Sequence, residues 1–344
     1  MNVSKLMSRD VRCCHPNDSL QRVAAAMWDG AVGALPVADL ANHVIGMITD
    51  RDALMAAYTR GGPLSDIPAS IAMSPRVHSV RESDSVDVAD KLMQRHQVRR
   101  VPVVDDAGRI VGIVSLDDLA RATLAPPKDA VSADQVALAL LAVGWPRNAA
   151  PPSGRRLRSE GAPASARTGS ATPEVKMKVR ELMTKDVLSC TESEPINRAA
   201  QIMWDSDCGC VPVVDADRQV IGMITDRDAL MAAYTTGKPL SDIPVSTAMS
   251  RQVFTTRPED ALDVAEALMQ RHRVRRLPVT DLAGRLVGLL SLNDIARALR
   301  RAGPHDEGVG AARIAATFAA VCAPAKGAGT TPTRGDKHGA QAPV

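Results

Sequence analysis

The sequence predicts an α+β fold (an α/β-type sandwich) built from four β-α-β-β-α units arranged as two modules, and two nested repeats and one rhythm predict it. Residues 44–74 and 220–250 differ at four of 31 positions, an offset of 176 that also carries Met7 onto Met183 and Asp118 onto Asp294. Inside each half a weaker copy recurs after 66 residues, GMITDRD (46–52) as GIVSLDD (112–118) and GMITDRD (222–228) as GLLSLND (288–294). The chain therefore reads as a duplication of a duplication.

Each unit repeats one order of elements. A short strand-like stretch comes first: Val11–Cys14, Val77–Val80, Val187–Cys190 and Val253–Thr256. A polar or proline-containing turn then opens a helix with apolar residues at i, i+3, i+4 and i+7, as at Leu20, Val23, Ala24 and Met27. Asp18 or Ser19 suits the N-cap of that helix, and Pro195 suits an early helical position in the third unit. An apolar strand with a central Pro-Val follows at 35–37, 101–104, 211–214 and 277–279. A turn leads to a last strand and to a second helix that starts near the Asp of Thr-Asp-Arg-Asp. A single unit is too small to bury much surface, so neighbouring units are expected to pack in pairs.

The reading divides the chain into unit 1 (1–60), unit 2 (70–124), a trailing helix (125–146), a flexible linker (147–176), unit 3 (177–236), unit 4 (246–300), a second trailing helix (301–324) and a disordered tail (325–344). A linker of that length spans roughly 30 Å on average, enough for the two modules to meet as an intramolecular pseudo-dimer or for pairing between chains in a homodimer.

Composition narrows the function classes. With 42 basic and 39 acidic residues the formal charge is +3, which gives no field for nucleic acid or an anionic membrane. The RRLR of the linker has no aromatic platform beside it, and nucleic acid is set aside. The opening MNVSKLMSRD has no apolar signal core, no stretch reaches spanning length, and six cysteines do not make a disulfide scaffold. A cytoplasmic setting is expected. No P-loop, nucleophile elbow or HExxH motif is present, so the chain is expected to be no enzyme and to carry no cofactor.

The G-h-h-[TS]-x-x-D turn, preceded by h-P-V and repeated four times in register, resembles the cystathionine-beta-synthase (CBS) domain family. Two such domains form a Bateman module, and this chain looks like two of them. Through phrases such as MITDRD and HQVRRVPVV it is most similar to small stand-alone bacterial members, including stress-response types. The resemblance implies a regulatory, signalling role in which clefts between paired units bind an adenosine-containing ligand (AMP, ADP, ATP or S-adenosylmethionine) and pass the signal to a protein partner. It implies ribose-binding carboxylates at Asp52, Asp118, Asp228 and Asp294, and hydroxyl contacts at Thr49, Ser115, Thr225 and Ser291. A carboxylate accepts from both hydroxyls of a ribose diol, and a helix start favours phosphate. The same Thr/Ser-x-x-Asp spacing is also a capping box that needs no ligand, and both roles stay open.

Two further groups stand out. His96, Arg99 and Arg100, with His272, Arg275 and Arg276, could reach phosphates, or could be solvated helix ends beside the C-terminal dipole. Cys190, Cys208 and Cys210 fall in the third unit and would make an incomplete thiolate site for zinc or redox sensing, or simply buried apolar side chains. The rival readings of the whole chain are thus a ligand-independent scaffold and a zinc or redox sensor.

Overall fold

A computed structural model describes residues 1–123, 131–143, 177–301 and 311–322; the expected linker and tail lie outside the described residues. Unit 1 holds α1 (Leu20–Asp29), β1 (Ala34–Ala38), β2 (Val44–Thr49) and α2 (Asp50–Arg60), and a single turn, α3 (Ala69–Ala72), leads onward. Unit 2 holds β3 (Val80–Arg81), α4 (Val86–His96), β4 (Arg100–Val104), β5 (Ile110–Ser115) and α5 (Leu116–Ala122), followed by α6 (Ala133–Val143). The second half opens on the turn α7 (Val179–Leu182). Unit 3 holds α8 (Ile196–Asp205), β6 (Cys210–Val214), β7 (Val220–Thr225) and α9 (Asp226–Thr236). Unit 4 holds α10 (Leu262–His272), β8 (Arg276–Thr280), β9 (Leu286–Ser291) and α11 (Leu292–Arg301), and α12 (Ala311–Val321) follows.

Local chemistry sets these boundaries. Ser19 caps α1, accepting from the Arg22 N–H, as one of the two expected caps. Pro195 is itself the N-cap of α8 rather than its first residue. Each second helix starts on a complete capping box, and Gly61 and Gly237, at φ 74° and 67°, end α2 and α9 in the left-handed turn that glycine tolerates.

The expected first strands contract. Where four residues were expected to pair, Cys14, Cys190 and Thr256 make single parallel bridges to Val37, Val213 and Val279, and only Val80–Arg81 forms a two-residue strand. Proline explains part of this. Pro36 has no N–H to give, and its carbonyl accepts from Cys14 N at 3.1 Å and from Cys14 Sγ at 3.8 Å. Opposite Pro36, Met47 turns its backbone outward and exchanges two hydrogen bonds with Ser74.

That exchange ties the units of a module together. The segment that leads into unit 2 pairs with β2 of unit 1 (Ser74 with Met47), and the segment at the start of the chain pairs with β5 of unit 2 (Ser8 with Ile113). A methionine follows each swap into place. A Cβ on Gly112 would lie 2.5 Å from Met7 Sδ, and one on Gly46 2.9 Å from Met73 Sδ. The glycine that recurs in every G-h-h-[TS]-x-x-D turn is thus a site of close approach, repeated at Gly222 with Met249 and Gly288 with Met183.

The expectation that each pair of neighbouring units shares a core needs correction. The apolar clusters run across the two halves: one joins units 1 and 3 through residues such as Leu20, Met27, Leu54, Ile196, Met203 and Leu230. The other joins units 2 and 4 with both trailing helices, through Met93, Leu119, Leu140, Leu277, Ile295 and Phe318. Helices α2 and α9 pack on one another, while α6 contacts α4, α11 and α12 and α12 contacts α5 and α10. Backbone pairing therefore builds each module, and side-chain burial, at roughly 1.5–3 kcal/mol per large apolar residue, joins the two modules. The helices of a unit present their apolar faces outward from the module, so only a second module can cover them. Among the described residues no helix is long and apolar enough to cross a membrane.

Candidate functional site

The four G-h-h-[TS]-x-x-D turns place their polar groups identically at the backbone and differently in their surroundings. In unit 1, Thr49 N and Oγ1 donate to Asp52 Oδ2 at 2.9 and 2.7 Å, and Asp52 N donates back to Thr49 Oγ1 at 3.1 Å. Thr225 and Asp228 repeat this in unit 3 at 2.9, 2.7 and 3.2 Å. Ser115 with Asp118 and Ser291 with Asp294 do so in units 2 and 4, each donor from the serine backbone lying at 2.8 Å. The capping role is therefore present at all four turns.

The second carboxylate oxygen separates the pairs. Asp118 Oδ1 is taken by Arg121 and Asp294 Oδ1 by Arg297, and both aspartates are buried at 7% exposure. Asp52 and Asp228 are only half-buried, and each makes its cap through Oδ2 alone. Their Oδ1 atoms receive no hydrogen bond among the described residues.

The basic residues gather elsewhere, at the seam between the modules. Arg275 Nη2 donates to Asp117 Oδ2 at 2.8 Å and lies 3.2 Å from Cys322 Sγ, and its guanidinium sits 5.3 Å from the centre of the Phe318 ring. Burial pulls the pKa of Arg275 down, but the Asp117 carboxylate and the Cys322 thiol together outweigh burial and hold it above the usual value. Asp117 responds in kind: burial pushes its pKa up, and Arg275 and Arg100 more than reverse that. Arg99 is brought down to about 10 by burial, with Arg275 and Arg276 repelling it. Arg100 and Arg276 lie beside two acids that begin α2 and α9, Asp50 and Asp226, whose pKa values burial raises. On the opposite side of the seam Arg51 Nη2 donates to Asp207 Oδ1 at 2.8 Å.

The structure thus brings Arg99, Arg275 and Arg276 together and does not set them against Asp118 or Asp294, which carry their own arginines. His96 stacks on His78 and His272 on Phe254, each at 3.5 Å between ring centres, so both histidines serve as packing for their helix ends. Sequence reasoning missed Asp50, Asp117, Asp207, Asp226, Arg51 and Arg227. The signal was available in the doubled acids of Thr-Asp-Arg-Asp and in the charge differences between the two halves.

Among the described residues the cysteines do not gather into a set of three ligands. Cys190 and Cys210 are buried, and burial pushes their thiols up to about 12 and about 11; burial also raises Cys208. Cys208 lies 3.3 Å from the Cys210 carbonyl, not from a third ligand. Among the described residues no three His, Cys, Asp or Glu side chains converge to hold a metal.

This doubled pair of capped strand–helix turns defines a class, and comparison with known proteins gives it a name. The CBS domain family model matches residues 3–58, 64–125, 179–234 and 240–301, and the chain belongs to that family. Its relatives include the CBS domain-containing protein YhcV of Bacillus subtilis, 35% identical over 118 residues, covering 34% of this chain and 82% of YhcV. MJ1225 of Methanocaldococcus jannaschii is 26% identical over 228 residues, covering 66% of this chain and 68% of its own. The solved structure of MJ1225 superposes with a TM-score of 0.57 at 18% identity, over 87% of this chain and all of that one. A homoserine O-acetyltransferase of Methanococcoides burtonii matches at 31% over 119 residues, which is 23% of its own length.

Proposed function

We propose that this chain is a regulatory, non-catalytic nucleotide sensor that binds an adenosine-containing ligand in the clefts of its two CBS pairs and signals through the relative placement of the pairs. Membership of the CBS family supports the class of ligand. The observation that carries the reading is the unspent oxygen of Asp52 and Asp228. Each carboxylate is oriented through Oδ2 by its own capping box, so Oδ1 stands ready for a ribose hydroxyl at no further ordering cost. Asp118 and Asp294, sealed and paired with Arg121 and Arg297, are assigned a structural role. Two clefts per chain, at units 1 and 3, follow. Six free thiols fit the reducing cytoplasm expected for such a protein.

A ligand moves the equilibrium between two placements of the modules only by binding one of them better. The test is calorimetry and thermal shift with AMP, ATP and S-adenosylmethionine. A ligand at a hundred times its Kd raises stability by about 2.7 kcal/mol. Replacing Asp52 and Asp228 together by Asn removes charge-assisted bonds worth about 1.5–3 kcal/mol each and should weaken binding at least tenfold, while Asp118→Asn should not. Unchanged binding by the double variant overturns the reading.

The scaffold reading draws on a definite observation, that every capping box is completed by the chain's own groups. A folded wild-type chain that takes up none of the three ligands would establish it.

A further inference from the structure

The two trailing helices are copies of one another, α12 repeating α6 at an offset of 178, but they are held differently. In units 1 and 3 the second helices, α2 and α9, pack directly on each other; in units 2 and 4, α6 and α12 each contact both α5 and α11. Beneath each trailing helix the unit before it buries one acid. These are Asp90 of α4 and Glu266 of α10, counterparts at the 176-residue offset and each 3% exposed.

Glu266 has a cation. Arg313 of α12 pairs with its Oε2, and Gln270 Nε2, one turn along α10, donates to Thr317 Oγ1 at 2.9 Å. On α6 the matching positions are Gln135 and Ala139, so both anchors are gone. Gln135 bonds Asp87 instead, and Gln94, with no threonine to meet, turns back along its own helix and donates to Asp90 Oδ2 at 2.8 Å. Asp90 Oδ1 is buried without a hydrogen-bond partner among the described residues; Glu266 Oε1 is too, but there the charge is neutralised at the other oxygen.

The surroundings of Asp90 do not supply the missing cation. α6 carries no basic residue and one acid, Asp134. On α4 itself Lys91 favours the charge of Asp90 and Asp87 opposes it. In α5, Asp118 is paired with Arg121 and Asp117 with Arg275, while Arg100 of β4 acts on Asp50. Ionising a buried carboxylate that no cation joins costs most of its hydration energy. Burial accordingly raises the Asp90 pKa, and the Gln94 N–H and Lys91 reverse that only in part. Burial raises Glu266 as well, with Arg313 opposing it.

We propose that α6 is a proton-sensitive latch, docked while Asp90 is neutral and released as Asp90 ionises, while α12 stays clamped by Arg313. A carboxyl group whose pKa is higher under the docked helix than in water holds its proton more tightly there. Docking is therefore strongest below the ordinary aspartate range and weakens as pH rises through the raised value. Release uncovers part of the apolar cluster of units 2 and 4 and slackens the seam on that side alone, since α2 and α9 need no intermediary. The latch goes beyond the adenosine reading and requires no ligand.

The experiment is amide hydrogen exchange of the full chain without ligand, followed by mass spectrometry from pH 5 to pH 8 and corrected for intrinsic exchange. α12 serves as the internal control for any change common to the whole chain. In the wild type, protection of residues 133–143 should fall about tenfold relative to residues 311–321 as pH rises. Asp90→Asn removes the titrating group and should keep α6 protected across the range. Gln135→Arg gives α6 the cation that α12 has and should do the same, which decides the matter even where Asp90→Asn does not fold. Protection of α6 that follows α12 at every pH in the wild type, or a wild-type profile retained by either variant, overturns the latch.

Discussion

Replacing Asp50 by Asn should make the chain more stable at neutral pH and less sensitive to pH. Asp50 opens α2 at the seam, where α2 meets α9, and Asp226 opens α9 in the same place. Its Oδ1 accepts from Arg51 N at 3.0 Å, and its Oδ2 lies 2.8 Å from where a Cβ on Gly33 would sit, so the side chain is wedged. Burial raises its pKa from 3.8 to about 6; Asp226 adds to the rise, and Arg100 and Arg227 oppose it. Asp226 is raised as well, by burial, against Arg276 and Arg51. A carboxyl group whose folded pKa lies above its unfolded one binds its proton more tightly in the native state. Its contribution to stability is complete below about pH 4 and is lost as pH rises through about 6. At about 1.4 kcal/mol per unit, a rise of roughly two units amounts to about 3 kcal/mol between pH 4 and 7.5. Asn keeps an acceptor for Arg51 N and carries no charge, so Asp50→Asn should recover about 1–3 kcal/mol at pH 7.5 and almost nothing at pH 4. The assay is urea unfolding at half-unit pH steps from 4.5 to 8, with the difference in stability between variant and wild type plotted against pH. A flat difference, or a variant weaker than wild type at pH 7.5, refutes the reasoning.

Three other outcomes follow from the same geometry. Gly112→Ala would drive a Cβ to within 2.5 Å of Met7 Sδ and should cost about 1–3 kcal/mol in chemical unfolding, with Met7→Ala in the same chain returning part of it. Asp117→Asn leaves Arg275 without its acid in a partly buried seam and should lower stability by about 1–3 kcal/mol at low salt, measured by thermal melting; the loss should be smaller for the more exposed pair broken by Asp207→Asn. Cys190 and Cys210, with thiols near 12 and 11 and buried side chains, should resist alkylation at pH 8 in the native chain and react on unfolding, as followed by mass spectrometry.

Much of the fold was legible from residues alone. Four copies of G-h-h-[TS]-x-x-D announced four strand-to-helix turns, because the Thr or Ser and the Asp three positions on have a local task that any copy performs in the same way. The heptad-like spacing of Leu20, Val23, Ala24 and Met27 marked a buried face for the same reason. The first strands were over-read because their length depends on a neighbour that a proline leaves half-paired. The candidate site divided along similar lines. Asp52, Asp118, Asp228 and Asp294 look alike in sequence, and only Arg121 and Arg297, one helical turn on, tell the sealed pair from the open one.

The sequence by itself determined the number of units, their internal order and the capping boxes, since each rests on short-range spacing or on a repeated backbone. The tertiary structure decided which apolar face covers which, and that Arg275 meets Asp117 and Arg51 meets Asp207 across 158 and 156 residues of chain. Periodicity reveals that a face is buried but carries no address for its partner. That address is set by the stacking of the two modules, where α2 meets α9 and α6 meets α12.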